Sequence, residues 1–450
     1  MKVSGAFAIF AAMDSQTIVA PMTPAGVSAV AALRVSGTQV RLVVERLFGT
    51  KAAKGLKPRM ANLGTARDPE SGKVLDSLLY IYFESPNSYT GEDVLELYPH
   101  GNPLIVRDLL QAIRSIEGVR LAEPGEYTRR AFLNGKMDLT QAESVADVIH
   151  SANRAELENA HHLLSGALSK KIATLTAQVK DISARLELDV DFAEEEADPD
   201  FAGWQERFEN IRTTILQILN SFRGKANLSR LPLAVLYGAP NAGKSSLVNA
   251  LLGEDRVLVS NVPGTTRDFV EVRLFLDGGE IRLVDTAGIA EHATDELDAL
   301  SMKKSREILE EADLKILVLD GTDSSEPVVQ PDFIVHSKCD VRQSLPETGL
   351  CISSKTGAGL AELKSVMNAA LFKKSDNAED LWITSEREKA CLEDAYAGVN
   401  RVLDLLRRNP AVELLAFEMQ LVRRSLQSIT GEISSEDILQ SIFAGFCIGK

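Results

Sequence analysis

The residues best suited to chemistry form a glycine-rich loop, residues 238–245, with the sequence GAPNAGKS. An apolar run, residues 233–237, precedes this loop, and a helical pattern, residues 246–252, follows it. In a strand–GxxxxGK[ST]–helix arrangement, backbone N–H groups close around phosphates and the helix N-terminus adds positive potential. Lys244 is therefore predicted to bridge the β and γ phosphates of a nucleoside triphosphate, and Ser245 to bind Mg²⁺.

Two further segments supply the other groups that a magnesium–nucleotide site needs. The apolar run 281–284 ends in Asp285-Thr286-Ala287-Gly288, which would place a carboxylate beside the metal and a glycine N–H beside the γ-phosphate. Between this segment and the first loop lies Gly264-Thr265-Thr266-Arg267-Asp268. Thr266 is predicted to close on Mg²⁺ from a loop whose order depends on the γ-phosphate.

The residues predicted to read the base lie further along the chain. Ser337-Lys338-Cys339-Asp340 and Ile352-Ser353-Ser354-Lys355 each follow an apolar run and resemble the NKxD and SAK motifs of translation-factor-like GTPases. Asp340 would accept hydrogen bonds from guanine N1 and N2, and adenine would leave this acceptor unpaired, so guanine is predicted. Ser337 replaces the usual Asn and lacks the amide that braces the loop and touches the base. We therefore expect weaker nucleotide binding.

The sequence departs from Ras-like enzymes at the position that orients the attacking water. Ile289 stands where those enzymes carry Gln. Either the chain is a binding switch with little turnover, or another group supplies this function. Asn241 resembles the Asn of GTPases that hold K⁺ against the phosphates in place of an arginine finger, in a site that closes when two such domains dimerise face to face.

The predicted GTP-binding residues share these loops. They are Asn241, Ala242, Gly243, Lys244, Ser245, Ser246, Ser260, Asn261, Val262, Pro263, Gly264, Thr265, Thr266, Asp285, Thr286, Ala287, Gly288, Ser337, Lys338, Asp340, Ser353, Ser354 and Lys355.

The patterning around these motifs predicts a multidomain α/β and α protein. Residues 1–132 are predicted to form a strand-rich α+β domain, and residues 231–372 an α/β domain with a parallel sheet. Helical periodicity predicts that residues 133–230 and 373–450 form one helical domain interrupted by the α/β domain. The apolar positions that carry this periodicity are Leu164, Leu168, Ile172, Leu175, Val179, Ile182 and Leu186, then Trp204, Phe208, Ile211, Ile215, Ile218 and Phe222, then Leu403, Leu406, Leu414, Phe417 and Leu421.

Composition narrows the classes of partner. The net charge is −15, so nonspecific coating of nucleic acid is excluded and any RNA contact needs a local basic patch or a partner protein. The four cysteines show no CxxC spacing, which favours a reducing cytoplasm over a disulfide framework or a zinc site. No apolar run reaches the length of a membrane span, so no membrane partner is expected.

Taken whole, the chain resembles the bacterial tRNA-modification GTPase family MnmE, also called TrmE. The resemblance runs from about Gln16 to the last residue. The motifs that carry it are Arg34-Val-Ser-Gly37, Pro86-Asn-Ser-Tyr-Thr-Gly-Glu-Asp-Val-Leu-Glu96, Pro124-Gly-Glu-Tyr-Thr128, Ala131-Phe-Leu-Asn-Gly-Lys136 and Phe446-Cys-Ile-Gly-Lys450.

The resemblance implies a specific activity. Members work with an FAD-dependent partner, MnmG, in a heterotetramer that modifies C5 of the wobble uridine of certain tRNAs to carboxymethylaminomethyl or aminomethyl. Their N-terminal domain is folate-binding-like, dimerises, and holds 5,10-methylene- or 5-formyl-tetrahydrofolate as the one-carbon donor. By this resemblance Arg34, Glu96, Lys136 and Lys450 surround the folate, and Cys447 is a possible catalytic residue near it.

The resemblance also implies a Ras-like GTPase domain, inserted in the helical domain, whose hydrolysis is activated by K⁺-dependent dimerisation. Asn241, Ser260, Thr265 and the carbonyl of Val262 would bind K⁺. Lys244, Thr266 and Asp298 are the predicted catalytic residues. Asp298 aligns with a Glu that orients the attacking water in the family, and Glu296 is the fallback. Because Asp is one methylene shorter, we expect slower hydrolysis.

The sequence leaves two alternative functions open. One is a ribosome-assembly GTPase of the Era or Der kind, although the chain has neither a second GxxxxGKS nor a basic tail. The other is a GTP-binding scaffold with little turnover, which Ile289, Asp298 and Ser337 favour.

Overall fold

The computed structural model describes residues 16–191, 201–224, 230–254, 269–286, 306–320, 329–341, 349–372, 381–408 and 411–449. These residues form two compact units. The first contains the described residues up to 146, residues 162–220 and those from 385 onward. The second contains residues 147–161 and the described residues of 221–384.

The N-terminal part of the first unit is an α+β domain. Its six-stranded sheet has the order β4-β5-β6-β3-β1-β8, and all neighbours are antiparallel except β1 and β8. The strands of this domain are β1 (Thr17–Pro21), β2 (Ser28–Val30), β3 (Leu33–Ser36), β4 (Ala61–Arg67), β5 (Val74–Phe83), β6 (Val94–Tyr98), β7 (His100–Gly101) and β8 (Val119–Leu121). Strands β2 and β7 pair separately from the large sheet.

The two faces of the large sheet differ because side chains alternate along a strand. Leu78, Tyr80 and Tyr82 of β5 are buried, whereas Leu79 between them is exposed. The helices of this domain are α1 (Val40–Phe48), α2 (Thr50–Lys54), α3 (Pro103–Arg114) and α4 (Glu126–Leu133). Apolar residues of α1, α2 and α3 pack against the buried face.

The other helices are α5 (Leu139–His150), α6 (Arg154–Leu164), α7 (Ala167–Asp191), α8 (Phe201–Asn220), α9 (Lys244–Glu254), α10 (Leu360–Leu371), α11 (Glu386–Leu406), α12 (Val412–Thr430) and α13 (Glu436–Ala444). The predicted apolar positions of α7 and α8 are buried, from Leu168 to Leu186 and from Trp204 to Ile218. The helical period of Leu403 to Leu421 falls in α11 and α12, but in α12 it does not mark the buried face. Leu414 and Phe417 are exposed, and the buried stripe is Leu415, Met419, Val422, Leu426 and Ile429.

The second unit is built on a six-stranded sheet of order β10-β11-β9-β12-β13-β14. Its strands are β9 (Leu233–Tyr237), β10 (Phe269–Leu276), β11 (Gly279–Thr286), β12 (Leu314–Leu319), β13 (Phe333–His336) and β14 (Leu350–Cys351). All neighbours are parallel except the β10–β11 hairpin at the edge. The predicted fold class, strand-rich α+β, helical and parallel-sheet α/β, is thus confirmed.

Residues 147–161 lie in the same unit as the parallel sheet. Arg154 N donates to Gly278 O over 2.7 Å, and Glu280 N donates to Ala152 O over 3.1 Å, at the turn of the β10–β11 hairpin. Asn159 and Trp382 exchange two hydrogen bonds in the same unit. The domain boundaries given by the sequence stay predictions. Among the described helices, none is long and apolar enough to cross a membrane.

Candidate functional site

The phosphate-loop residues lie where β9 ends and α9 begins. Gly238 has φ +142 and its Cα faces the carbonyl of Val318, so that a Cβ there would clash with backbone. Asn241 and Gly243 also have positive φ, +64 and +99. These conformations turn the chain tightly from the central strand into the helix whose first residue is Lys244. Free backbone N–H groups at this helix N-terminus are suited to bind phosphate.

Lys244 is buried, with 5% of its surface exposed. Its Nζ donates to the carbonyl oxygens of Gly238 and Ala239, at 2.9 Å each. Burial lowers the pKa of Lys244, and the nearby Asp285 carboxylate opposes that shift. A buried ammonium with few acceptors is a group to which phosphate oxygens bind favourably.

Asp285 and Ser245 form the part of the site that can hold a metal. Ser245 Oγ donates to Asp285 Oδ2 over 2.5 Å. Asp285 Oδ1 is buried and has no hydrogen-bond partner among the described residues. Thr286 Oγ1 donates to Leu236 O over 3.0 Å, which fixes the end of β11 against the central strand. A buried carboxylate with one oxygen unused, beside a hydroxyl, fits a hard divalent cation such as Mg²⁺.

The predicted base-reading residues contact the phosphate loop directly. Ser337 Oγ donates to Ala242 O over 2.5 Å, and Lys338 Nζ donates to Asn241 O over 2.8 Å. Ser337 lacks the amide of the usual Asn, but its hydroxyl braces the phosphate loop from a buried position. The expectation of weaker nucleotide binding stays a prediction. The short side chain offers no second group for the base.

Asp340 lies beside the second predicted base-reading segment. Ser353 Oγ donates to Asp340 Oδ1 over 2.7 Å. This hydrogen bond lowers the pKa of Asp340, and Lys355 lowers it further. Cys339 N also donates to Ile352 O over 3.1 Å, so backbone and side chains both hold the two segments together. Asp340 is thereby kept ionised as an acceptor.

Several predicted residues lie outside the described residues. They are Ser260, Asn261, Val262, Pro263, Gly264, Thr265, Thr266, Ala287, Gly288, Ile289, Glu296, Asp298 and Lys450.

Two of the residues predicted to bind folate pair with each other on the sheet of the first unit. Arg34 of β3 and Glu96 of β6 are opposite each other in register. Both Nε and Nη2 of Arg34 donate to Glu96 Oε1, over 3.1 and 2.8 Å. Lys136 Nζ donates to Pro86 O over 2.9 Å. Gly449 packs against the Pro21 carbonyl, so the C-terminal segment lies at the end of β1, the neighbour of β3. Cys447 is exposed.

Three tyrosines at this group were not predicted. The Arg34 guanidinium lies 4.9 Å from the ring centroid of Tyr89 and 5.7 Å from that of Tyr127. Tyr98 Oη donates to Glu96 Oε2 over 2.5 Å. Burial, followed by Glu96, raises the pKa of Tyr98 to about 12, so the phenol stays a donor. The spacing of Glu96 and Tyr98, two residues apart on one strand, was the available signal.

Two family models match successive parts of the chain. The model of the GTP-binding protein TrmE N-terminus matches residues 17–136, and that of the MnmE helical domain matches residues 139–447. The chain belongs to the MnmE family of tRNA modification GTPases. It is 37% identical over 460 residues to an MnmE of Syntrophus aciditrophicus, and the aligned region covers 97% of this chain and 100% of that relative. An MnmE of Hyphomonas neptunium is 38% identical over 432 residues, covering 94% and 96%.

Solved structures with likeness to the chain cover a smaller part of it. The G domain of the Thermotoga maritima iron transporter FeoB matches 31% of this chain and 99% of its own length, with 25% identity and a TM-score of 0.24. Era in complex with MgGDPNP and a 16S ribosomal RNA fragment matches 38% and 67%, with 24% identity and a TM-score of 0.26. The MnmE relatives, by contrast, match nearly the whole chain, so membership of that family disfavours the ribosome-assembly alternative.

Proposed function

We propose that this chain is a GTP hydrolase that takes part in the modification of tRNA. The observation that carries the proposal is the arrangement in the second unit. Lys244, Ser245 and Asp285 lie together at the carboxyl end of the central strands, and Asp340 lies on a loop hydrogen-bonded to the phosphate loop through Ser337. Family membership supplies the reaction class.

The roles of the nucleotide-site residues follow from their chemistry. Lys244 would exchange its two carbonyl acceptors for phosphate oxygens. Ser245, Asp285 and Thr266 would hold Mg²⁺, which when bound neutralises charge that develops on the phosphates. Asp298, or Glu296, would orient the attacking water. Asn241, Ser260, Val262 and Thr265 would hold K⁺ when two such domains dimerise.

The first unit is proposed to hold the one-carbon donor, a 5,10-methylene- or 5-formyl-tetrahydrofolate. Glu96 would accept from the N–H groups of the pterin, and Arg34 would donate to a pterin carbonyl. Lys136 and Lys450 would supply the positive charge that carboxylates of the folate require. Cys447 is a possible catalytic residue here. With an FAD-dependent MnmG-like partner in a heterotetramer, the product is carboxymethylaminomethyl or aminomethyl at C5 of the wobble uridine.

The sheet face that carries Glu96 and Tyr98 supports the proposed homodimer. Leu63 of β4 and Leu79 of β5 are paired in register and 74% and 47% exposed. In the proposed homodimer, a second protomer would cover these two leucines.

The test is GTP hydrolysis by the purified protein in KCl and in NaCl at equal ionic strength. Marked stimulation by K⁺ that is lost in Asn241→Ala is the expected result, because the Asn side chain is a proposed K⁺ ligand. Equal slow rates in both salts, with tight GTP binding, would instead favour the scaffold with little turnover. The scaffold with little turnover is the second candidate function, because Ile289 replaces the water-orienting Gln of Ras-like enzymes.

A further inference from the structure

We propose that the first unit binds the phosphate backbone of tRNA directly, through a basic surface on α1, α2 and the loop that follows them. This surface, the α1–α2 basic surface, consists of Arg41, Arg46, Lys51, Lys54, Lys57 and Arg59. The inference rests on the proposed function in taking tRNA as the substrate, and it adds where this chain holds it.

The charge of this segment is opposite to that of the chain. Residues 40–60 contain six basic residues and a single acidic residue, Glu45, whereas the whole chain carries −15. Glu45 accepts a hydrogen bond from Thr50, 2.8 Å away. A local excess of positive charge keeps its attraction for anions in an acidic protein, because acidic residues more than about 10 Å away are screened at ordinary salt.

The fold points these basic side chains outward. Val43, Val44 and Leu47 of α1, with Ala52, Ala53 and Leu56, contribute to the core under the sheet. All six basic residues of the surface are exposed. Within the described part of the chain, the single ion pair on this surface joins Arg41 Nη2 to Glu84 Oε1 over 3.2 Å. The remaining five charges are therefore available to an anionic partner.

Arginines elsewhere in the same unit are used differently. Arg130 is buried and pairs with both Glu92 and Glu126, and Arg387 pairs with Glu143. Those residues hold the fold together. On the α1–α2 basic surface, Arg41 pairs with Glu84 and Arg59 donates to a backbone carbonyl. The other four residues have no such ion pair among the described residues, which favours a role in binding.

The surface runs up to the candidate one-carbon site. The Arg41 guanidinium lies 4.9 Å from the ring centroid of Tyr82, and Arg59 N donates to Tyr82 O over 2.7 Å. Arg59 Nη2 donates to Asn87 O over 3.1 Å. The carbonyl of the preceding residue, Pro86, accepts a hydrogen bond from Lys136 Nζ. A backbone bound along the surface would thus end beside the residues proposed to hold the one-carbon donor.

The spread of the charges favours a nucleic acid over a small anion. They occupy two helices and a loop, and lysine is a point charge on a flexible stem, which suits successive phosphates without reading bases. If three lysine–phosphate contacts are lost, the slope of log K for tRNA binding against log[salt] should become shallower by about 2 to 3.

The experiment compares two triple variants of the full-length protein that change the net charge equally. The test variant is Lys51→Ala/Lys54→Ala/Lys57→Ala. The matched control is Lys170→Ala/Lys171→Ala/Lys180→Ala, which removes three exposed lysines from α7. Binding of a fluorescent tRNA transcript is titrated between about 50 and 200 mM salt, with GTP hydrolysis and thermal unfolding measured in parallel.

The expected result is tRNA binding at least about 10-fold weaker in the test variant, with a shallower salt slope. Binding by the control variant, and hydrolysis and unfolding in both, stay at wild-type values. Equal losses in both variants, or none in either, would overturn the proposal.

Two further outcomes separate the alternatives. Suppose the test variant bound tRNA normally but lost more affinity, relative to wild type, for triglutamyl than for monoglutamyl tetrahydrofolate. The surface would then bind the folate tail, and the proposal would fall. If the wild type bound no tRNA while hydrolysing GTP, direct tRNA binding by this chain would fail together with the proposed surface.

Discussion

The hydrogen bond from Ser337 to Ala242 predicts a large effect of removing one oxygen atom. Ser337 is 2% exposed, and its Oγ joins the base-reading loop to the phosphate loop across 2.5 Å. The two loops are proposed to bind opposite ends of a nucleotide. Their relative position is therefore part of the binding free energy, and Ser337→Ala should weaken nucleotide binding although Ser337 replaces the Asn of related enzymes.

The magnitude follows from the burial of the pair. Leaving a buried carbonyl without its donor costs about 1 to 3 kcal/mol. Since 1.4 kcal/mol is a factor of ten, a cost near 1 to 2 kcal/mol corresponds to roughly 5- to 30-fold faster release of GDP. Ser337→Asn retains a donor and adds a group that can reach the base, so GDP release should be slower than in the wild type.

The assay is displacement of a fluorescent GDP analogue by excess GDP, followed by stopped flow for wild type, Ser337→Ala and Ser337→Asn. Thermal unfolding of the nucleotide-free proteins serves as the control for folding. A Ser337→Ala variant that folds normally and releases GDP at the wild-type rate would show that the bond between the loops contributes nothing to nucleotide binding.

Three other predictions rest on single contacts. Asp340→Asn should reverse the base preference, with GTP hydrolysed on the order of 100-fold less efficiently than before and XTP favoured; equal use of both nucleotides by the variant would refute this, in a competition assay. Because the pKa of Tyr98 is raised from 10 to about 12, the unfolded state loses its proton first and stability should fall as pH rises from 10 to 12. A phenolate absorbance titration compared with Tyr98→Phe checks this, and a Tyr98 midpoint near 10 contradicts it. Gly279→Ala should destabilise the protein by about 1 to 3 kcal/mol, because φ is +150 and backbone lies within 3 Å of the new Cβ. Gly253→Ala, at an open helical position, is the matched control, and equal melting temperatures would refute the argument.

The sequence alone was sufficient to predict features that depend on residues close together in the chain. Gly238 and Gly243 have positive φ values that glycine adopts readily, and this local property let the motif predict the phosphate loop. The role of Ser337 could not be predicted in the same way. Its partner Ala242 is 95 residues away in sequence, and only the packing of β13 beside β12 brings the two loops together. In α12, Leu414 and Phe417 fit a helical period as well as Leu415 does, so periodicity alone did not identify the buried face.

The Arg34–Glu96 pair shows how a predicted ligand site changes once contacts are known. Glu96 Oε1 accepts twice from Arg34, and Oε2 accepts from Tyr98. A carboxylate has about four acceptor directions, so one is left unused. Arg34 Nη1 is buried and has no partner among the described residues. The pair therefore has one unused N–H donor, on Arg34, and one unused acceptor direction, on Glu96. A cyclic amide such as that of a pterin offers both, an N–H for Glu96 and a carbonyl for Arg34. Because an unmet buried donor costs free energy, the Arg34–Glu96 pair still favours a ligand that offers both an N–H and a carbonyl.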